Sequence, residues 1–261
     1  MAPQTLYSLY SPHISNILQT LGRLSYSDDL LHANAGMEIT LKLAYYARSV
    51  TALSEDIGLL RHLERRYTSI LEASKEQRQY LGDLRSAYGN SSDTRLEEKS
   101  IDLFIITEQP KRPLVAIIDE ATRTTKRHGR LIHTYLGLPD KPAGDYLEVL
   151  EYLKDTDRLK AKLLEPWKSA FKGNHLHWSK PLYGMDSEAT LELSYFLDHF
   201  LPHEQRYMKK GLIELLIDNP KDYPIRFENN LAVVDIPIFY LVCDRKEQFT
   251  GYDRPNTDLP S

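Results

Sequence analysis

The residues best equipped for chemistry in this chain fall in one stretch, Ser100 to Arg130, which reads SIDLFIITEQPKRPLVAIIDEATRTTKRHGR. Asp102 heads one apolar run, and Asp119 and Glu120 close the next. Carboxylates brought together on neighbouring strands can chelate a divalent cation, and that cation can stabilise the charge of a phosphoryl transition state. Behind them come Arg123, Lys126, Arg127 and Arg130, with His128 among them. Such cations, opening a helix, could hold a phosphate. On a solvated helix face they would only offset Asp119 and Glu120. The net charge of −4 supplies no basic field for nucleic acid and favours the second role.

Two families come close to this pattern. Leu114 to Glu120, LVAIIDE, looks like the Walker B strand of ATPases, but the chain has no G-x-x-x-x-G-K-[ST] phosphate cradle, so that chemistry is excluded. The stretch is also similar to the core of the PD-(D/E)XK nucleases. Asp102 and Asp119 stand for the two metal-binding acids of that family, seventeen positions apart. Ala121 and Thr122 occupy the places where its lysine would follow an acid, which leaves Lys126 as the substitute. The resemblance implies Mg²⁺ held by Asp102 and Asp119. It also implies a catalytic set of Asp102, Asp119, Glu120 and Lys126, and phosphate contacts from Arg123, Arg127 and Arg130. The plainer alternative is a β-hairpin that buries Leu103, Ile105, Val115 and Ile117 and turns its acids to solvent.

Outside this stretch the signals thin out. His175 and His177, with Asp198, His199 and His203 further on, have the ligand types of a two-histidine, one-carboxylate metal site, but Pro202 interrupts the helix that would align the last two. Cys243 is the only cysteine, so no intrachain disulfide forms, and it follows an apolar run as a buried thiol would. There is no G-x-S-x-G elbow and no glycine-rich dinucleotide fingerprint.

The elements that must position these residues read as follows. Ser27-Asp28-Asp29 could cap a helix carrying Leu30, Leu31, Met37, Leu41 and Tyr45. Apolar residues from Leu53 to Tyr88 recur at three- and four-residue steps, as on a long amphipathic helix or helical hairpin arm. Gly89 to Asp93 reads as a linker. Ile101 to Thr107 and Leu114 to Ile118 read as two antiparallel strands joined by a proline-containing turn, and Ala121 to Tyr135 as a helix. Leu191 to Leu201 and Tyr207 to Ile217 have helical spacing, and Leu231 to Val242 reads as a strand bent at Pro237.

At 261 residues, 41% hydrophobic and 27% charged, the composition is that of an ordinary globular protein. No apolar run reaches the roughly 20 residues of a membrane helix, and the N-terminus lacks the form of a secretory signal. The expected fold is therefore helix-rich α+β, with a long N-terminal helical region and a small sheet containing a central hairpin. The expected division is 1–89 helical, 94–249 α+β and 250–261 a loose tail. The expected function is a soluble, cytoplasmic binding or assembly protein without a catalytic centre and without a cofactor. It would engage a protein partner, or itself, through the helical region, and no membrane. The alternative is a Mg²⁺-dependent nuclease with a degenerate PD-(D/E)XK-like core acting on nucleic acid.

Overall fold

The computed structural model describes residues 18, 23–73, 78–107, 112–136, 145–154, 156–173, 177–201, 206–219, 223, 225–228 and 231–246. The first strand, β1 (Asp29–Ala33), is a run of apolar residues bounded by polar ones. Leu30 to Ala33 are buried throughout, as in a strand covered on both faces. A turn leads to α1 (Met37–Leu43), and the chain then alternates through β2 (Ser49–Ser54), α2 (Ile57–Ala73) and β3 (Asp83–Tyr88). Next come β4 (Ile101–Ile106), α3 (Leu114–Thr124) and β5 (Thr125–Leu136). The rest comprises α4 (Tyr146–Lys154), α5 (Thr156–Gly173), β6 (Leu182–Glu192), α6 (Leu193–Phe200), α7 (Arg206–Asp218), β7 (Ile225–Glu228) and β8 (Leu231–Asp244).

The described strands form one eight-stranded sheet in the order β3-β2-β1-β4-β5-β8-β6, with β7 paired to β8. From β3 to β5 every neighbouring pair is parallel, whereas β8 runs antiparallel to β5, β6 and β7. Parallel neighbours need crossovers, and these crossovers put helices on both faces. On one face Ile39 and Leu43 of α1 pack on Leu30, Val50, Leu103 and Ile105, while Leu60 and Leu63 of α2 cover Ala52. On the other, Ile117, Ile118 and Ala121 of α3 and Trp167 and Phe171 of α5 pack on Leu31, Phe104, Ile106 and Leu131. Full burial of a side chain such as Phe104 contributes about 1.5–3 kcal/mol. A third cluster joins α4, α6 and α7 to β7 and β8 through Leu153, Phe196, Phe200, Leu216 and Val234.

This architecture corrects the expected fold class. The sheet is large and mostly parallel, and its strands begin in the region expected to be helical. Leu53 to Tyr88 is not one long helix: it holds the end of β2, then α2, then β3. Leu114 to Ile118 is not the second strand of a hairpin but the start of α3, and residues 125 to 135, expected to be helix, belong to β5. A short apolar run bounded by proline suits either a strand or a helix. The crossover needed between parallel β4 and β5 decides for helix. Residues 250–261 lie outside the described residues.

Candidate active site

The chain order defines where a ligand can sit. From β1 the chain moves outward to β2 and β3, then crosses back to β4 on the other side of β1. In open α/β sheets such a reversal leaves a crevice beyond the carboxyl ends of the strands, and ligands bind there. Beyond β1 lie Asn34, Ala35 and Gly36; at the end of β2, Ser54, and beyond it Glu55 and Asp56; beyond β3, Asn90; beyond β4 and just before α3, Arg112. Of these, Asn34, Ala35, Ser54, Glu55, Asp56, Asn90 and Arg112 join Leu59 in lining a cavity of about 340 Å³.

Local chemistry sets each position. The turn after β1 needs one left-handed residue, and Asn34 supplies it with φ of 56°. A side chain added at Gly36 would meet no atom within 4 Å, so the space above the turn is open. Asp56 accepts the backbone N–H of Leu59 on Oδ1 at 3.0 Å, and Ser54 Oγ accepts that of Asp56 at 3.0 Å, which fixes the start of α2. Glu55 accepts from Arg112 Nη2 at 2.5 Å and from Asn90 Nδ2 at 3.3 Å, both on Oε1. Its other oxygen has no partner among the described residues.

Beneath the turn lies a buried relay. Thr40 Oγ1 donates to the carbonyl of Gly36 at 2.6 Å, so it must accept from His32 Nδ1, 2.7 Å away. That places the His32 proton on Nδ1 and leaves Nε2 to accept from Thr107 Oγ1 at 2.8 Å. The relay joins the β1–α1 turn to the end of β4, the two walls of the crevice. His32 is fully buried, and burial pushes its pKa down to about 3, so the neutral ring persists at ordinary pH.

The residues expected to act together are elsewhere. Asp102 sits at the amino end of β4, where Oδ2 accepts from Lys126 Nζ and from the backbone N–H of Asp29, both at 2.8 Å. Lys126 also reaches Asp29 at 3.1 Å, and Asp29 takes Arg48 and Ser49 as further donors. Burial alone would raise the pKa of Asp29, but these donors hold it well below the usual carboxylate range. Asp119 is exposed on α3, a different element from the strand that carries Asp102. Glu120 is clamped by Arg123 at 2.7 Å and by the backbone N–H of Thr94 at 2.9 Å. Arg130 donates to Asp244 at 2.7 Å, and Arg127 is exposed on β5. Arg123 ends α3 while Lys126, Arg127 and Arg130 belong to β5, so these cations do not open a helix. Among the described residues no group of three His, Cys, Asp or Glu could hold a metal ion. His175 and His203 lie outside the described residues. Cys243 is fully buried, and its thiol is raised above its usual pKa by that burial and by Asp244.

The candidate site positions missed in the sequence are His32, Asn34, Glu55, Asn90 and Arg112. One signal could have found them: an apolar strand, a turn H-A-N-A-G, a helix, and an acid nineteen positions beyond the glycine.

No family model and no curated protein matches the sequence. Solved structures do match the fold. The YcgJ protein of Bacillus subtilis superposes with a TM-score of 0.57 at 13% identity, over 91% of this chain and 100% of that one. A candidate methyltransferase from Bacillus halodurans C-125 gives 0.57 at 13% identity, over 90% and 99%. A geranyl diphosphate methyltransferase solved with SAM gives 0.50 at 13% identity, over 94% and 92%. Three expectations fall with these findings: a binding or assembly protein without a catalytic centre, a Mg²⁺-dependent nuclease, and a cofactor of none or Mg²⁺ alone. No helix among the described residues is long and apolar enough to cross a membrane. What the sheet order and these likenesses establish together is that the chain has a Rossmann-like fold, the one shared by these neighbours.

Proposed function

We propose that the chain binds S-adenosylmethionine at the carboxyl edge of its sheet and is a methyltransferase. The observation that carries this reading is Glu55: a carboxylate just beyond β2, in a cavity at the strand-order reversal, with one oxygen that no other described residue occupies. The donor set suits an adenosine joined to an amino acid. Glu55 can accept from a ribose diol. Ala35 and Leu59 offer apolar surface to a base, Asn34 and Asn90 offer amide groups, and Arg112 and Asp56 offer opposite charges to a zwitterion. The turn departs from the glycine-rich form, but left-handed Asn34 and the open space over Gly36 meet the same steric need.

When bound, the cofactor supplies an activated methyl group whose transfer discharges a sulfonium. The protein's part is then mainly positioning. Glu55 and Asn90 orient the ligand, and the His32 relay keeps the β1–α1 turn and the end of β4 at fixed separation. The cavity charges, Glu55 and Asp56 against Arg112, favour a cationic ligand over a neutral one. A reducing, intracellular location accords with the single buried thiol at Cys243.

Isothermal titration with S-adenosylmethionine and S-adenosylhomocysteine, with NADH as a control, tests the reading. Binding of the two adenosyl ligands but not of NADH is expected, weakened about ten- to a hundredfold in Glu55→Ala, the range of a hydrogen bond to a charged group. Absence of binding by both adenosyl ligands would overturn it.

A further inference from the structure

We propose that β3 is a self-complementary edge through which two copies of this chain pair, with Leu84 on the two-fold axis. The inference does not rest on the proposed function. Among the described residues β3 has a neighbour on one side only. Its Asp83 and Gly89 amides donate to the carbonyls of Arg48 and Ser54 on the β2 side. Amides alternate along a strand, so the N–H and C=O groups of Leu84, Ser86 and Tyr88 face outward. Such an edge is a ready template for another strand.

The sequence around this edge is arranged about Leu84. It reads Tyr80-Leu81-Gly82-Asp83-Leu84-Arg85-Ser86-Ala87-Tyr88. In antiparallel pairing with Leu84 opposite Leu84 of the second copy, Asp83 falls opposite Arg85, and Arg85 opposite Asp83. Directly opposed residues share a face, and these would be non-hydrogen-bonded pairs, where side chains lie closest. Both side chains are exposed, and neither forms an ion pair among the described residues. Tyr80 and Tyr88, 59% and 52% exposed, stand four places to either side of the axis and bring apolar surface to the rim.

The other registers fit worse. Only outward residues can share ladder hydrogen bonds. Setting Leu84 opposite Ser86 brings Arg85 onto Arg85, a repulsive pair. Setting Leu84 opposite Tyr88 puts Arg85 on Ala87 and leaves both charges unmatched. In the chosen register the ladder is short, because the Gly82 N–H already goes to Ala44 and its carbonyl accepts from Tyr67. The two reciprocal ion pairs therefore carry much of the specificity, and the dimer weakens with salt.

Charge exchange gives a direct test. Light scattering on the full chain at low salt should show twice the 30.2 kDa monomer mass at tens of micromolar. Asp83→Arg alone and Arg85→Asp alone should both give monomers, since each opposes like charges. The double exchange, Asp83→Arg with Arg85→Asp, should restore the dimer. Hydrogen exchange should show the Leu84 amide protected only in the dimeric forms. Because both positions are exposed, thermal melts of the variants should match the parent. A monomeric parent, a dimer that survives either single exchange, or a double exchange that stays monomeric while folded would each overturn the proposal.

Discussion

At the amino edge of the sheet both carboxylate oxygens of Asp29 are met by donors, from Arg48 and Ser49 on one and Arg48 and Lys126 on the other. At the carboxyl edge the partners of Glu55 among the described residues, Arg112 and Asn90, share one oxygen. Both edges are rich in charge, but Asp29 is saturated, whereas Glu55 has acceptor capacity to spare among the described residues. The amino-edge network joins β1, β2, β4 and β5 through Asp29 and Asp102, and with both oxygens of Asp29 met from within it ties these strands together. The carboxyl edge places a half-satisfied acid over a turn with open space above it. Below it, a buried neutral histidine supports the turn. Residual hydrogen-bonding capacity, rather than charge, separates the acid that ties the strands together, Asp29, from the acid placed to bind, Glu55.

The largest effect expected from this contrast is on acid stability. The His32 pKa is 6.5 unfolded and about 3 folded. Between those values the unfolded chain binds a proton that the folded chain refuses, so stability falls as pH drops below 6.5 and the loss is complete below 3. The total is about 4–5 kcal/mol at 1.36 kcal/mol per unit. Urea titrations across that window should show the fall, and His32→Gln should flatten it relative to the parent. Equal slopes in both proteins would remove His32 as the cause.

Next comes the saturated acid, Asp29. Asp29→Ala leaves Arg48 and Lys126 without their shared anion, and should cost about 2–3 kcal/mol of stability, the range of partly buried charged hydrogen bonds. Adenosyl ligand affinity, measured by titration, should not move. A loss of affinity there would break the division between the edges.

Glu55→Ala should do the reverse, with affinity lowered as stated above and unfolding free energy changed by less than about 1 kcal/mol, since the Arg112 pair is half exposed. The smallest effect belongs to Arg112→Ala. It removes the cation offered to the ligand's carboxylate and one of the two donors on Glu55 Oε1, and should weaken S-adenosylmethionine binding by no more than about fivefold. Tighter binding in that variant would make Arg112 a competitor for Glu55 rather than a ligand contact.

Some of this was legible in the sequence. The strand expected over Ile101 to Thr107 is found as β4 (Ile101–Ile106), because a β-branched and aromatic run between polar ends has few alternatives, and Leu231 to Val242 lies within β8 despite Pro237. Helical spacing over Tyr207 to Ile217 matches α7. The early strands were hidden because D-L-L-H-A can open a helix as easily as it can run through a sheet covered on both faces. Leu114 to Ile118 misled for the converse reason: its branched residues favour a strand, but the parallel crossover demands a helix. The site stayed hidden because Asn34 does the work usually signalled by glycine. The acids that drew notice, Asp102 and Glu120, carry partners contributed by residues remote in the chain, Asp29 and Thr94, which no spacing rule reveals.

The place of β8 bears on how the chain reaches this state. It is the last described strand, yet it lies between β5 and β6 and also holds β7. During synthesis β5 and β6 therefore emerge long before the strand that separates them, and each presents an open edge until it arrives. Closing the sheet requires contacts between the distant parts of the chain, which slows folding and lengthens the time those edges are open to other molecules. A ribosome-bound chain ending before Leu231 should be protected over β1 to β4 and sticky beyond, with chaperone demand concentrated on the interval before residues 231 to 244 clear the exit tunnel.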